Sequence, residues 1–213
     1  METHLRARSF FLGLTVAALL LLLAGGADQA RAAGVVLCKV NKDPCPAGST
    51  YGTWTPLYGG AEATTKIPTE VRFNLPGQVE TQCAYNKFVT ELSAFVTEPR
   101  LGETWIVATS CSASCEVATE NFSYKATLAA SGGGNGVITV GSPRFHVKCG
   151  SSLDCYYGKS TIKAQVKGGE PASLTLEETL ERQTPSSFLC PTTATYKGVY
   201  QEMLVSPTYI SHA

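Results

Sequence analysis

An excess of either charge is missing from this chain. Its 213 residues carry 17 lysines and arginines against 17 aspartates and glutamates, and no run of basic residues occurs. A near-neutral surface offers no electrostatic footprint for nucleic acid or an anionic membrane, so neither is expected as a partner. Histidine and aspartate are scarce as well. Past residue 32 the histidines are His146 and His212, and the aspartates are Asp43 and Asp154. Serine hydrolysis needs a base beside its nucleophile, and no Gly-x-Ser-x-Gly elbow is present to supply one. Cys-x-x-Cys is absent, which removes the usual redox pair. No Walker-type loop, dinucleotide fingerprint or calcium loop occurs, so no cofactor is expected. Beyond the first 32 residues there is also no long apolar run, so no membrane span is expected there.

What the chain does have is a leader followed by eight cysteines. Arg6 and Arg8 precede an apolar run from Phe10 to Ala24, and Ala30-Arg31-Ala32 has the small-x-small pattern of a cleavage site. This reads as a signal peptide over 1–32, helical before removal, with a secreted domain over 33–213. Arg6, Arg8 and Arg31 leave with the leader, as do Glu2 and Asp28, so 14 basic and 15 acidic residues remain among 181. Outside the cytosol the thiols meet oxidants, and disulfides are expected. The cysteine spacers of three, five and six residues are irregular for zinc, and no metal is expected.

The mature sequence alternates. Val71, Phe73 and Leu75 are separated by Arg72 and Asn74. Phe145, Val147 and Cys149 are separated by His146 and Lys148, and Ile162, Ala164 and Val166 by Lys163 and Gln165. A period of two buries one set of side chains and leaves the other in water. Gly59-Gly60, Pro76-Gly77, the Gly132–Gly136 run and Gly168-Gly169-Glu170-Pro171 punctuate these runs as turns. The glycine run lacks the lysine and hydroxyl that grip phosphate and reads as a flexible hairpin tip. The expected fold is all-β: an antiparallel sandwich or partly open barrel of about ten strands, stapled by disulfides. Two segments with some helix formers, 88–95 and 174–180, are read as strand.

Three cysteine pairs are close in sequence. Hairpin loops of three to six residues can bring their flanks within the 4.4–6.8 Å that a disulfide spans. Cys38–Cys45, Cys111–Cys115 and Cys149–Cys155 are therefore expected, with Cys83–Cys190 left by elimination among 105 pairings. The triplets Cys38/Cys45/Cys83 and Cys149/Cys155/Cys190 have similar spacing. That pattern fits two related halves, 33–100 and 141–213, joined by 101–140.

Binding residues are sought among aromatics. Tyr51, Trp54 and Tyr58 fall in one stretch, and Tyr156-Tyr157 follows Cys155. On an exposed β face such rings stack on sugars or fill a partner's pocket. Glycosidases need two carboxylates across a cleft, but neighbours on a strand point to opposite faces, so Glu177 and Glu178 cannot share a site. The expectation is a secreted, non-enzymatic protein with a binding or structural role toward extracellular carbohydrate or protein. A carboxylate-dependent, glycosidase-like hydrolase and a protease inhibitor are the alternatives.

Several motifs carry a resemblance. Val36-Leu37-Cys38-Lys39-Val40-Asn41 through Pro44-Cys45, Cys111-Ser112-Ala113-Ser114-Cys115 and Val147-Lys148-Cys149 through Cys155 are three of them. Gly168-Gly169-Glu170-Pro171-Ala172, Ser187-Phe188-Leu189-Cys190-Pro191-Thr192 and Val205-Ser206-Pro207-Thr208 are the others. Together they resemble secreted cysteine-rich proteins of soil actinobacteria, a group with no assigned chemistry. The resemblance implies secretion and a stapled β fold; the leader itself leaves the medium or the cell envelope as the expected location. It transfers no functional residue.

Overall fold

A computed structural model describes residues 34–51, 54–61, 70–93, 100–120, 123–201 and 207–212; at 54–61, 70, 89–93, 100–103, 105 and 201 the description is of the backbone. The leader lies outside them. These residues belong to one compact unit, Gly34–Ala213. They form fourteen strands and no helix, exceeding the ten or so expected. In chain order these are β1 (Val35–Cys38), β2 (Trp54–Ala61), β3 (Glu70–Leu75), β4 (Val79–Ser93) and β5 (Arg100–Cys111). β6 (Cys115–Glu120), β7 (Tyr124–Gly132), β8 (Asn135–Gly141), β9 (Arg144–Cys149) and β10 (Leu153–Gly158) follow. β11 (Thr161–Lys167), β12 (Ser173–Gln183), β13 (Thr193–Gln201) and β14 (Tyr209–His212) complete the set. The two segments with helix formers are strand where described, in β4 and β12.

Twelve strands make one antiparallel sheet that closes on itself. The path β11-β8-β7-β5-β4-β3-β13-β12 returns to β11, a ring of eight, while β10, β9 and β6 continue from β12 and β2 pairs with β4. The branch arises because β12 is long. Its Ser173–Leu176 end pairs with β11, and its Glu181–Gln183 end pairs with β10. Residues 177–180 have neither neighbour on that side. Glu178 fills the gap: its carboxylate accepts the Lys163 N–H at 2.9 Å and meets Lys159 Nζ at 2.6 Å.

At this level the chain breaks three times, between β6 and β7, β8 and β9, and β10 and β11, forming a waist. The Tyr124 hydroxyl pins two of the breaks, donating to the Glu120 carbonyl and accepting the Arg144 N–H.

Alternation builds the core as the sequence implies. Val71, Phe73, Leu75, Phe145, Val147, Ile162, Ala164, Val166, Leu174 and Leu176 are all buried. Phe73, Phe145 and Tyr196 pack together with ring centroids 4.9 to 5.3 Å apart. Tyr200 folds over Gly198 so that its hydroxyl bonds that of Tyr196. A Cβ at residue 198 would lie 2.7 Å from the Tyr200 ring, so glycine is required there. Burial holds both phenols protonated above their ordinary range.

Four disulfides are present, and three of them correct the expected map. Cys38–Cys45 is found. The pairs Cys111–Cys115, Cys149–Cys155 and Cys83–Cys190 are replaced by Cys83–Cys111, Cys115–Cys149 and Cys155–Cys190. Ladder register is the reason. Cys83 stands directly opposite Cys111 across β4 and β5, and Cys115 opposite Cys149 across β6 and β9. Directly opposed residues are the closest pairs across an antiparallel ladder, and here the Cα atoms stand 3.8 Å apart for Cys83–Cys111 and 4.0 Å for Cys115–Cys149. Cys149 stands opposite Leu153, so Cys155 is its diagonal neighbour, some 7–8 Å away. The new bridges do not follow the spacing repeat of the two halves.

The first and last described strands meet at the far end of the ring. β1 pairs with β14, and this two-stranded sheet is fastened to the β7–β8 tip. The Ile210 N–H donates to the Gly134 carbonyl at 2.8 Å, and Gly169 and Thr208 exchange hydrogen bonds. A Cβ at Gly136 would come within 2.9 Å of Ile210, and one at Gly168 within 2.1 Å of the Gly134 oxygen. The glycine run is therefore not the free tip expected from composition. Its glycines let three backbones touch.

Candidate binding face

The outer face of β6, β9 and β10 is a grid set by register. Glu116, Lys148 and Asp154 form one row. Ala118, His146 and Tyr156 form the next, and Glu120, Arg144 and Gly158 the third. His146 and Tyr156 stack almost parallel, with centroids 4.3 Å apart and planes at 4°. The His146 Nε2 lies 2.7 Å from Asp154 Oδ1. The Arg144 guanidinium packs on the Tyr156 ring at 4.8 Å and donates from Nη2 to the Thr184 carbonyl at 2.8 Å. Its Nε is 3.0 Å from Glu120 Oε2, but the N–H is not aimed at that oxygen and stays without a hydrogen bond.

The loop between β12 and β13 extends this face. Ser186 Oγ accepts the Tyr156 N–H at 2.9 Å and donates to the Gln183 carbonyl at 2.6 Å. The Ser187 N–H donates to the Asp154 carbonyl at 2.9 Å. The Cys190 N–H then returns to the Ser187 carbonyl at 3.0 Å, closing a turn. Arg182 donates to the Cys190 carbonyl at 2.7 Å, and Cys155–Cys190 anchors the turn covalently. At its tip Phe188 is 89% exposed and Leu189 42%. A large apolar pair held in water by this many restraints is the feature that folding alone does not explain.

The aromatics expected to bind have different fates. Tyr157 is buried, with its hydroxyl on the Pro191 carbonyl at 3.2 Å, and cannot meet a ligand; this corrects the expectation for that residue. Tyr51 is half-buried and donates to the Pro207 carbonyl at 2.5 Å, tying the segment after β1 to the one that leads into β14. Trp54 and Tyr58 belong to β2, and their side chains lie outside the described residues. Tyr156 is on the face, but His146 covers its ring. Phe188 enters the sequence reading only within a resemblance, because no local pattern marks an apolar residue as exposed.

Among the described residues each histidine pairs with one aspartate: His146 with Asp154, and His212 Nδ1 with Asp43 at 2.9 Å. Hydrogen bonds from the His212 backbone, then its side chain, hold the Asp43 carboxyl below its usual range. Among the described residues neither imidazole is hydrogen-bonded to a serine, threonine or cysteine side chain. Glu177 faces Lys197 in water, while Glu178 serves the waist. No group of three histidine, cysteine, aspartate or glutamate side chains among the described residues is placed to hold a metal.

The geometry also bears on inhibition of proteases. A protease cleft receives an extended main chain, and the hydrogen-bonded turn at Ser187–Cys190 is not extended.

No family model, curated protein or solved structure matches this chain. Four disulfides are consistent with an extracellular protein. No helix among the described residues is long and apolar enough to cross a membrane.

Proposed function

We propose that the mature chain is an exported, non-enzymatic binding protein. It meets a protein partner through the Ser187–Cys190 turn and the adjoining β6–β9–β10 face. The observation that carries this reading is Phe188, fully presented on a covalently fixed turn. Burying such a side chain contributes ~1.5–3 kcal/mol. Because the turn is already ordered, little of that gain is spent on immobilising it. A partner with an apolar pocket fits better than a sugar at this spot, since the Tyr156 ring already carries His146.

The test places a photo-crosslinker at residue 188 and, as control, at Lys167 on the opposite end. Both proteins are exposed to envelope and medium fractions of the producing cells, and the captured species is purified and titrated. Saturable binding weakened at least tenfold by Phe188→Ala, and unchanged by Lys167→Ala, is the expected result. Equal binding by both variants, or no saturable species, would refute the reading.

A further inference from the structure

We infer that the waist carries a second site, a subsite for one neutral sugar residue. Where β8 gives way to β9 and β10 to β11, the ladders leave a half-open cleft of about 270 Å³. Ser142 and Arg144 line one wall, Lys159 and Ser160 the second, and Glu181 and Gln183 the third. The walls are fixed: the Ser142 N–H donates to the Ser160 carbonyl at 2.7 Å. The floor is tight, since a Cβ at Gly158 would lie 3.0 Å from the Pro143 carbonyl and 3.3 Å from Gln183.

Charge selects the ligand class. Both cations of the cleft are already matched, Lys159 by Glu178 at 2.6 Å and Arg144 by Glu120 at 3.0 Å. Glu181 adds a further carboxylate. A phosphate, sulfate or amino-acid carboxylate would need an unpaired cation and finds none in the cleft. What remains unspent among the described residues is hydrogen-bonding capacity. The Ser142 and Ser160 hydroxyls and the Glu181 carboxylate stand exposed in the cleft lining. Hydroxyls that both donate and accept, beside a carboxylate acceptor, suit a polyol, whose every hydroxyl does both. The volume is just under the ~300 Å³ floor of ordinary small-molecule sites, which limits the occupant to a single ring. The site shares Arg144 with the docking face but needs neither Phe188 nor a protein partner.

The ¹⁵N-labelled, oxidised mature protein would be titrated with methyl glycosides of glucose, mannose and N-acetylglucosamine, and in parallel with sodium sulfate and glycine. At least one glycoside should bind saturably in the millimolar range. Amide shifts should centre on Ser142, Lys159, Ser160 and Gln183. Glu181→Ala and Ser160→Ala, both at exposed positions, should each raise that Kd at least fivefold without altering the melting temperature. Three results would overturn the subsite: no saturable glycoside, shifts centred elsewhere, or sulfate binding in preference. Phe188→Ala should leave glycoside binding unchanged, which separates this test from that of the docking turn.

Discussion

The two ends of this ring are closed by different chemistry. At one end three bridges, Cys83–Cys111, Cys115–Cys149 and Cys155–Cys190, staple neighbouring elements beneath the turn that presents Phe188. At the other, β1 and β14 clasp the glycine tip through backbone hydrogen bonds and close approach, with Cys38–Cys45 as the local bridge. Covalent closure constrains the unfolded chain and remains when contacts loosen. A clasp built from contact geometry depends on every atom that touches. The stapled end therefore suits a surface that must hold its shape in water. The clasp end is where local opening should begin.

That contrast can be broken from either side. The largest expected effect comes from Cys155→Ser with Cys190→Ser, which opens a 35-residue separation. The chain-entropy model assigns about 4 kcal/mol to such a loop. For a domain of this size that is roughly 10 °C in melting temperature, readable by calorimetry. Gly168→Ala should cost about 3 kcal/mol, because its methyl meets the Gly134 backbone rather than a yielding side chain. Hydrogen exchange should then quicken at Ile210 and not at Ser187. Equal quickening at both would mean the ends are one cooperative unit.

Cys38→Ser with Cys45→Ser should cost about 2.5 kcal/mol for its seven-residue separation, again read by melting. The smallest effect is acid. Asp43 is lowered in the folded state, so its contribution is complete above the ordinary value of 3.8 and fades as pH falls below it. Amide exchange at His212, corrected for the intrinsic pH dependence of exchange, should rise between pH 5 and 2 relative to Ser187.

Much of the fold is legible in the sequence, because local periodicity decides which side chains face inward. Phe73, Val147 and Ile162 are buried for that reason alone. The bridges are less legible, because pairing depends on register between strands far apart in the chain. A signal for them exists nonetheless. The midpoint of Cys115 and Cys149 is residue 132, the start of the glycine turn. That of Cys83 and Cys111 is residue 97, beside Pro99. That of Cys155 and Cys190 falls just past Pro171. The first two bridges face across long hairpins and so are centred near a chain reversal, whereas Cys190 lies in the turn after β12 rather than on a strand opposite Cys155. Nearness in sequence is the weaker guide because Cys111 and Cys115 flank a turn yet belong to different ladders. The candidate face was less legible still. His146 and Asp154 meet only because β9 and β10 pair, and Phe188 is distinguished by its exposure, which has no sequence signature.

Peptide mapping of the unreduced protein tests this contrast most directly. Trypsin cuts between all the relevant segments but not between Cys111 and Cys115, nor between Cys149 and Cys155. The structure therefore predicts one covalent cluster of four peptides, 73–87, 101–125, 149–159 and 183–197, separate from the pair bearing Cys38 and Cys45. Peptides 101–125 and 149–159 released singly, each closed on itself, would contradict it.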